Sequence, residues 1–160
     1  MGRVFAWLAA ARQPQAVVEI GTAFGISGMY WLAGLEIAGS GMLYTFEPNV
    51  DWASFAEANL KSISTRFLLI RGTFEEKALD VLADVRPEIA FVDAIHTAAF
   101  VGAQYELLKK LMAPGGLILF DDINFSEDMR QCWSALAHAP EAAASAQLGS
   151  RVGILELLRG

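Results

Sequence analysis

Residues 16–28 read AVVEIGTAFGISG, a short apolar run followed by a turn that holds Gly21, Gly25 and Gly28. The run AVVEI is rich in β-branched side chains and suits a strand. Glu19, Gly21, Gly25, Ser27 and Gly28 then lie between this strand and a helix. A turn of this kind has two uses for a ligand. Glycine reaches positive φ and lets a ligand come close to the main chain. The helix N-terminus also presents N–H groups with no intrahelical partner. Glycines occur in βα turns that bind nothing, so the spacing has to decide.

A dinucleotide fingerprint places glycines at relative positions 0, 2 and 5. Counted from Gly21 they fall here at 0, 4 and 7, and position 23 is Ala. No Lys or Arg occurs from Gln13 to Leu60, and Glu19 ends the strand. A pyrophosphate gains nothing from that charge. S-adenosylmethionine carries an amine and a sulfonium, which nearby carboxylates favour. Glu47, followed by Pro48, ends the next strand candidate and can accept from both hydroxyls of a ribose.

Working outward, further strand candidates are MLYTF (42–46), RFLLI (66–70), EIAFVD (88–93) and GLILFD (116–121). They are apolar on both faces, as expected of a parallel sheet covered by helices. Between them lie helical stripes. One runs through Phe55, Ala56, Leu60 and Ile63, and a second carries Leu79 and Leu82 behind a capping box at Thr73 and Glu76. A third runs through Val101, Tyr105, Leu108 and Met112, and a fourth through Met129, Trp133 and Leu136. SAQL, Gly149–Ser150 and RVGILELL then read as a hairpin. The expected fold is α/β: a doubly wound, mostly parallel, Rossmann-like seven-stranded sheet with an antiparallel C-terminal hairpin.

The 160 residues fit one domain over 1–160, and 54% hydrophobic content argues for a packed core. A net charge of −6 argues against nucleic acid as the main partner. No run of about 18 apolar residues suggests a membrane span. The N-terminal MGRVFAWLAAARQPQ is read as a first helix and not a leader, because its apolar run is short and leads into the first strand. The single cysteine, Cys132, excludes an internal disulfide, fits a cytoplasmic location, and is read as a structural thiol.

In their order and spacing, VEIGTAFGISG, YTFEPN, RGTFEE, IAFVDAIH and LMAPGGLILFDDI resemble the motifs of the class I S-adenosylmethionine-dependent methyltransferases. The resemblance runs from Val17 to Leu157 and includes the reversed last strand. It implies that Glu19 bonds the cofactor's methionine amine, directly or through water. Gly21, Thr22 and Ala23, with Gly25 and Ser27 in the same turn, would line the methionine and ribose, and Glu47–Pro48 would take the ribose. Thr73 and Phe74 would flank the adenine, and Asp93 would close the methionine end. Ala23 departs from the Gly of many members and is similar to the form found in catechol-type O-methyltransferases, which are commonly metal-assisted and act on small hydroxylated molecules.

That subgroup implies a metal site at Asp93, Asp121 and Asp122, with Asp122 standing where an Asn is usual. An Mg²⁺-like ion there would relieve repulsion among the carboxylates and orient a substrate hydroxyl. His96, three residues after Asp93, is a candidate base beside it. The expected partner is a small-molecule methyl acceptor. Trp133 and Trp7 are read as core residues, although Phe5 and Trp7 together would also suit a homodimer contact. Residues 1–15 alone precede the first strand, so no substrate-cap domain is apparent. The chain reads as a fragment, a minimal enzyme or a protomer completed by a second copy. A nicotinamide-dependent oxidoreductase and a non-catalytic cofactor-binding domain remain the alternatives.

Overall fold

The strand Ala16–Ile20 (β1) is buried at all five positions. It pairs in parallel with Met42–Glu47 (β2) on one side and Ile89–Val92 (β4) on the other. The computed structural model describes residues 1–159; Gly160, part of the expected 1–160 domain, lies outside the described residues. Phe67–Arg71 (β3) pairs outside β2, and Leu117–Phe120 (β5) pairs beside β4, both parallel. The hairpin Ala142–Leu148 (β6) and Val152–Leu157 (β7) joins antiparallel to β5. The seven-stranded order is β3-β2-β1-β4-β5-β7-β6.

Among the described residues six helices cover this sheet: Gly2–Arg12 (α1), Ile26–Ala38 (α2), Val50–Lys61 (α3), Phe74–Val81 (α4), Ala98–Leu111 (α5) and Glu127–Ala137 (α6). Successive strand residues point to opposite faces. Val18 and Ile20 therefore enter one core with Phe74, Tyr105, Leu108 and Trp133, while Val17 enters the other with Phe5, Trp31 and Leu35. Asn49, Thr73 and Ser126 accept backbone N–H bonds at the starts of α3, α4 and α6, as N-caps do. No described helix is long and apolar enough to cross a membrane.

The structure corrects several sequence expectations. Phe5 is buried at 3% exposure, stacked on Trp31 at 4.6 Å and 4.7 Å from Phe91, whereas Trp7 is 67% exposed. Two residues along a helix turn roughly 200°, so burying Phe5 sends Trp7 outward. The proposed homodimer contact thus loses one of its two anchors to the core, and Trp7 is not a core residue. β3 is not covered on both faces: it is an edge strand, and Leu68 is exposed. In the helical stripes, Phe55, Ile63 and Leu79 are also exposed. Phe55 instead joins Phe24, 6.2 Å away, on the surface, and the two-turn α4 buries Phe74 and Ala78. Cys132 is half-buried, and burial pushes its thiol up, against a nucleophilic role.

Candidate functional site

Chain order reverses between β1 and β4, and in such sheets a crevice opens beyond the carboxyl ends of the strands at that point. A cavity of about 560 Å³ lies there. Its floor is the turn after β1. Gly21 and Thr22 N–H both donate to Phe46 O, at 3.1 and 3.2 Å, and Gly25 N–H donates to Thr22 O at 2.8 Å. Gly21 has φ 95°, and a Cβ on it would lie 2.1 Å from the Asp93 carbonyl oxygen. No side chain fits at Gly21 without moving the loop that carries Asp93.

Ala23 also adopts positive φ, 47°, which is uncommon for a residue with a Cβ. Its N–H donates to Glu47 Oε2 at 2.8 Å, while Asn49 N–H donates to Oε1 at 2.8 Å. Glu47 thus holds the turn in place and still faces the cavity. Of the residues singled out from sequence, Gly21, Thr22, Ala23, Ser27, Glu47, Pro48, Asp93 and Asp121 line this cavity.

Others lie elsewhere. Glu19 has no exposed surface, and burial pushes its carboxyl up to about 7. Thr45 Oγ1 donates to Glu19 Oε2 at 2.6 Å, so in the 2.6 Å Thr22–Thr45 contact the Thr22 hydroxyl is the donor. Two hydroxyls therefore link the buried carboxyl to the cavity floor, and among the described residues Glu19 Oε1 has no hydrogen-bond partner. Gly25 caps α2 and packs on Ala56. Thr73 and Phe74 do not line the cavity: Thr73 caps α4 and Phe74 is buried edge-on against Phe46 at 5.2 Å. The wall on that side is formed by Phe24 and Trp52, with ring centroids 5.6 Å apart.

At the other end Asp93 follows β4, and Asp121 and Asp122 follow β5. Asp93 is pushed up to about 6, first by burial and then by the charge of Asp121. His96 Nε2 stands 3.7 Å from both Asp93 Oδ1 and Asp122 Oδ2. Arg151, in the turn immediately before β7, places its guanidinium among these carboxylates. Its Nε donates to Asp121 Oδ1 at 2.8 Å and its Nη2 to Oδ2 at 2.5 Å, with Nε 3.1 Å from Asp122 Oδ1. Among the described residues no set of three or more His, Cys, Asp or Glu is arranged to hold a metal ion. The carboxylates expected as metal ligands do come together, but two of them already face a guanidinium. The donor set does not fit a divalent ion.

Residues 18–123 match the family described as Methyltransferase domain. The chain belongs to this methyltransferase family. A protein of Mycobacterium sp. (strain JLS), whose name places it among the O-methyltransferases, is 32% identical over 124 residues, covering 74% of this chain and 53% of the relative. The chain thus spans about half the length of the curated relatives it matches. Among solved structures, cofactor-bound Rv0187 from MTB superposes with a TM-score of 0.84 at 21% identity, covering 99% of this chain and 80% of that one. The O-methyltransferase TomG from Streptomyces achromogenes, in complex with SAM, gives 0.76 at 22% identity, covering 99% and 79%. At these identities the superpositions speak for the shared fold.

Within this methyltransferase domain, sequence reasoning missed Thr45, Phe24, Trp52 and Arg151. Thr45 had a readable signal, a small polar side chain between Tyr44 and Phe46 in a largely apolar strand, and it lies directly across from Glu19 in the β1–β2 register. Arg151 had none, since 30 residues separate it from Asp121.

Proposed function

We propose that this domain transfers the methyl group of S-adenosylmethionine to a hydroxyl oxygen of a small molecule. The observation that carries the reading is the placing of Glu47 and Asp93 on one cavity at the switch point of the sheet. Glu47 ends β2, where an acidic side chain can accept from ribose hydroxyls. Phe24 and Trp52 offer an apolar wall for a flat base beside it. Thr22, backed by Thr45 and Glu19, extends the acidic character of the floor towards a cationic group.

Bound S-adenosylmethionine supplies an electrophilic methyl on a sulfonium whose bond electrons stay on sulfur when the methyl leaves. The chain's own part is to orient the acceptor and take its proton. Asp93, with a carboxyl at about 6, is ionised at neutral pH and is the base that accepts the hydroxyl proton as the oxygen–carbon bond forms. His96 Nε2 stands 3.7 Å from Asp93 Oδ1, a span that one bridging water closes, and by that route can relay the proton towards solvent. Holding both reactants in one cavity supplies the rest. Incubating the protein with methyl-labelled S-adenosylmethionine and a panel of hydroxylated small molecules should yield labelled product. Binding of NAD with no binding of S-adenosylhomocysteine would overturn the reading in favour of an oxidoreductase.

A further inference from the structure

We propose that Arg151 takes the cation position among Asp93, Asp121 and Asp122, so that this domain works without a divalent metal. The consequence for catalysis rests on the methyltransferase reading, whereas the geometry does not. A hard divalent ion needs six or more oxygen ligands at close range. Here both oxygens of Asp121 and one oxygen of Asp122 face the guanidinium, in the paired geometry that makes arginine–carboxylate bonds strong. Asp121 is buried at 4% exposure and therefore needs a charged partner, which Arg151 supplies.

The arginine is held by main chain as well as by charge. Ile123 N–H donates to Arg151 O at 3.0 Å, and the Asn124 side chain donates to Ser150 O. The loop after β5 is thereby latched to the β6–β7 turn, which delivers the guanidinium to the cavity wall. Asp122 has φ 50°, a conformation that Asp tolerates better than most residues, and this turns its carboxylate towards both Arg151 and His96. Among the described residues Asp93 makes no ion pair with the guanidinium and instead faces His96 Nε2 at 3.7 Å.

Electron paramagnetic resonance of Mn²⁺ added to the purified protein tests this directly. The wild type should leave Mn²⁺ free. Arg151→Ala, with its fold checked by circular dichroism, should gain a site at least tenfold tighter, and Arg151→Lys should not, because it keeps the charge. Should Arg151→Ala fail to fold, Arg151→Gln replaces it. Stoichiometric Mn²⁺ binding by the wild type that Asp121→Asn abolishes would overturn the proposal, as would a folded Arg151→Ala or Arg151→Gln that gains no site. Turnover should also survive chelator treatment of the wild type. Calorimetry with S-adenosylhomocysteine is run in parallel: absent binding there would sink the methyltransferase reading and leave the Mn²⁺ result standing.

Discussion

Asp93 and Glu19 are both carboxyls raised by burial, one to about 6 and the other to about 7, yet only Asp93 meets the cavity. A base must be ionised to act, so kcat/KM for methyl transfer should rise with pH through about 6 and then level. Asp93→Asn should lower kcat/KM by about 10²- to 10⁴-fold and remove that rise. A variant whose pH–rate profile keeps the same rise would show that another group is the base. For Glu19 the effect is on stability. Its folded value lies above the ordinary 4.5, so its stabilising contribution is complete below pH 4.5 and is lost as pH rises through about 7. By pH 8 that loss amounts to roughly 3 kcal/mol. Urea unfolding of wild type and Glu19→Gln at pH 5 and pH 8 reads it: the balance should shift towards Gln at pH 8. An unchanged difference between the two proteins would mean that Glu19 is not buried in this way.

At the scale of elements, α1 forms one end of the cavity as well as a layer of the fold. Met1, Gly2 and Phe5 line the cavity, and Phe5 stacks on Trp31 of α2. The two helices can approach closely because position 34 is glycine; a Cβ there would lie 2.4 Å from the Ala6 carbonyl oxygen. Phe5→Ala should therefore cost about 3–5 kcal/mol of stability. Trp7→Ala, on the exposed side of the same helix, should change it by less than about 0.5 kcal/mol. Denaturant titrations of the pair would refute the assigned rotation of α1 if the two costs were equal or reversed.

For the whole molecule, binding to the folded state alone raises stability by about 2.7 kcal/mol at a ligand concentration of 100 times Kd. In a domain of this size that is a rise in Tm of roughly 5–10 °C. S-adenosylhomocysteine should produce such a shift and NAD none; the reverse would contradict the cofactor assignment. Much of this architecture was legible in advance because it depends on local pattern. AVVEI, MLYTF and GLILFD are short apolar runs with turn residues after them, and the Gly149–Ser150 turn lies between two strand-like segments. The 0-4-7 glycine spacing, Glu47 and Asp93 could likewise be placed, since they follow the carboxyl ends of β1, β2 and β4, at and beside the switch point where the crevice opens. The sequence alone determined the elements, the order in which they alternate and the identity of the turn that lines the cavity. Tertiary structure decided which face of α1 is buried, that Glu19 lies beneath the floor behind Thr45, that Thr73 and Phe74 serve α4 and the core, and that Arg151 stands among the carboxylates. The physical reason is range: strand and helix propensity act over a few residues, whereas burial and charge pairing depend on which distant segments the sheet order brings side by side.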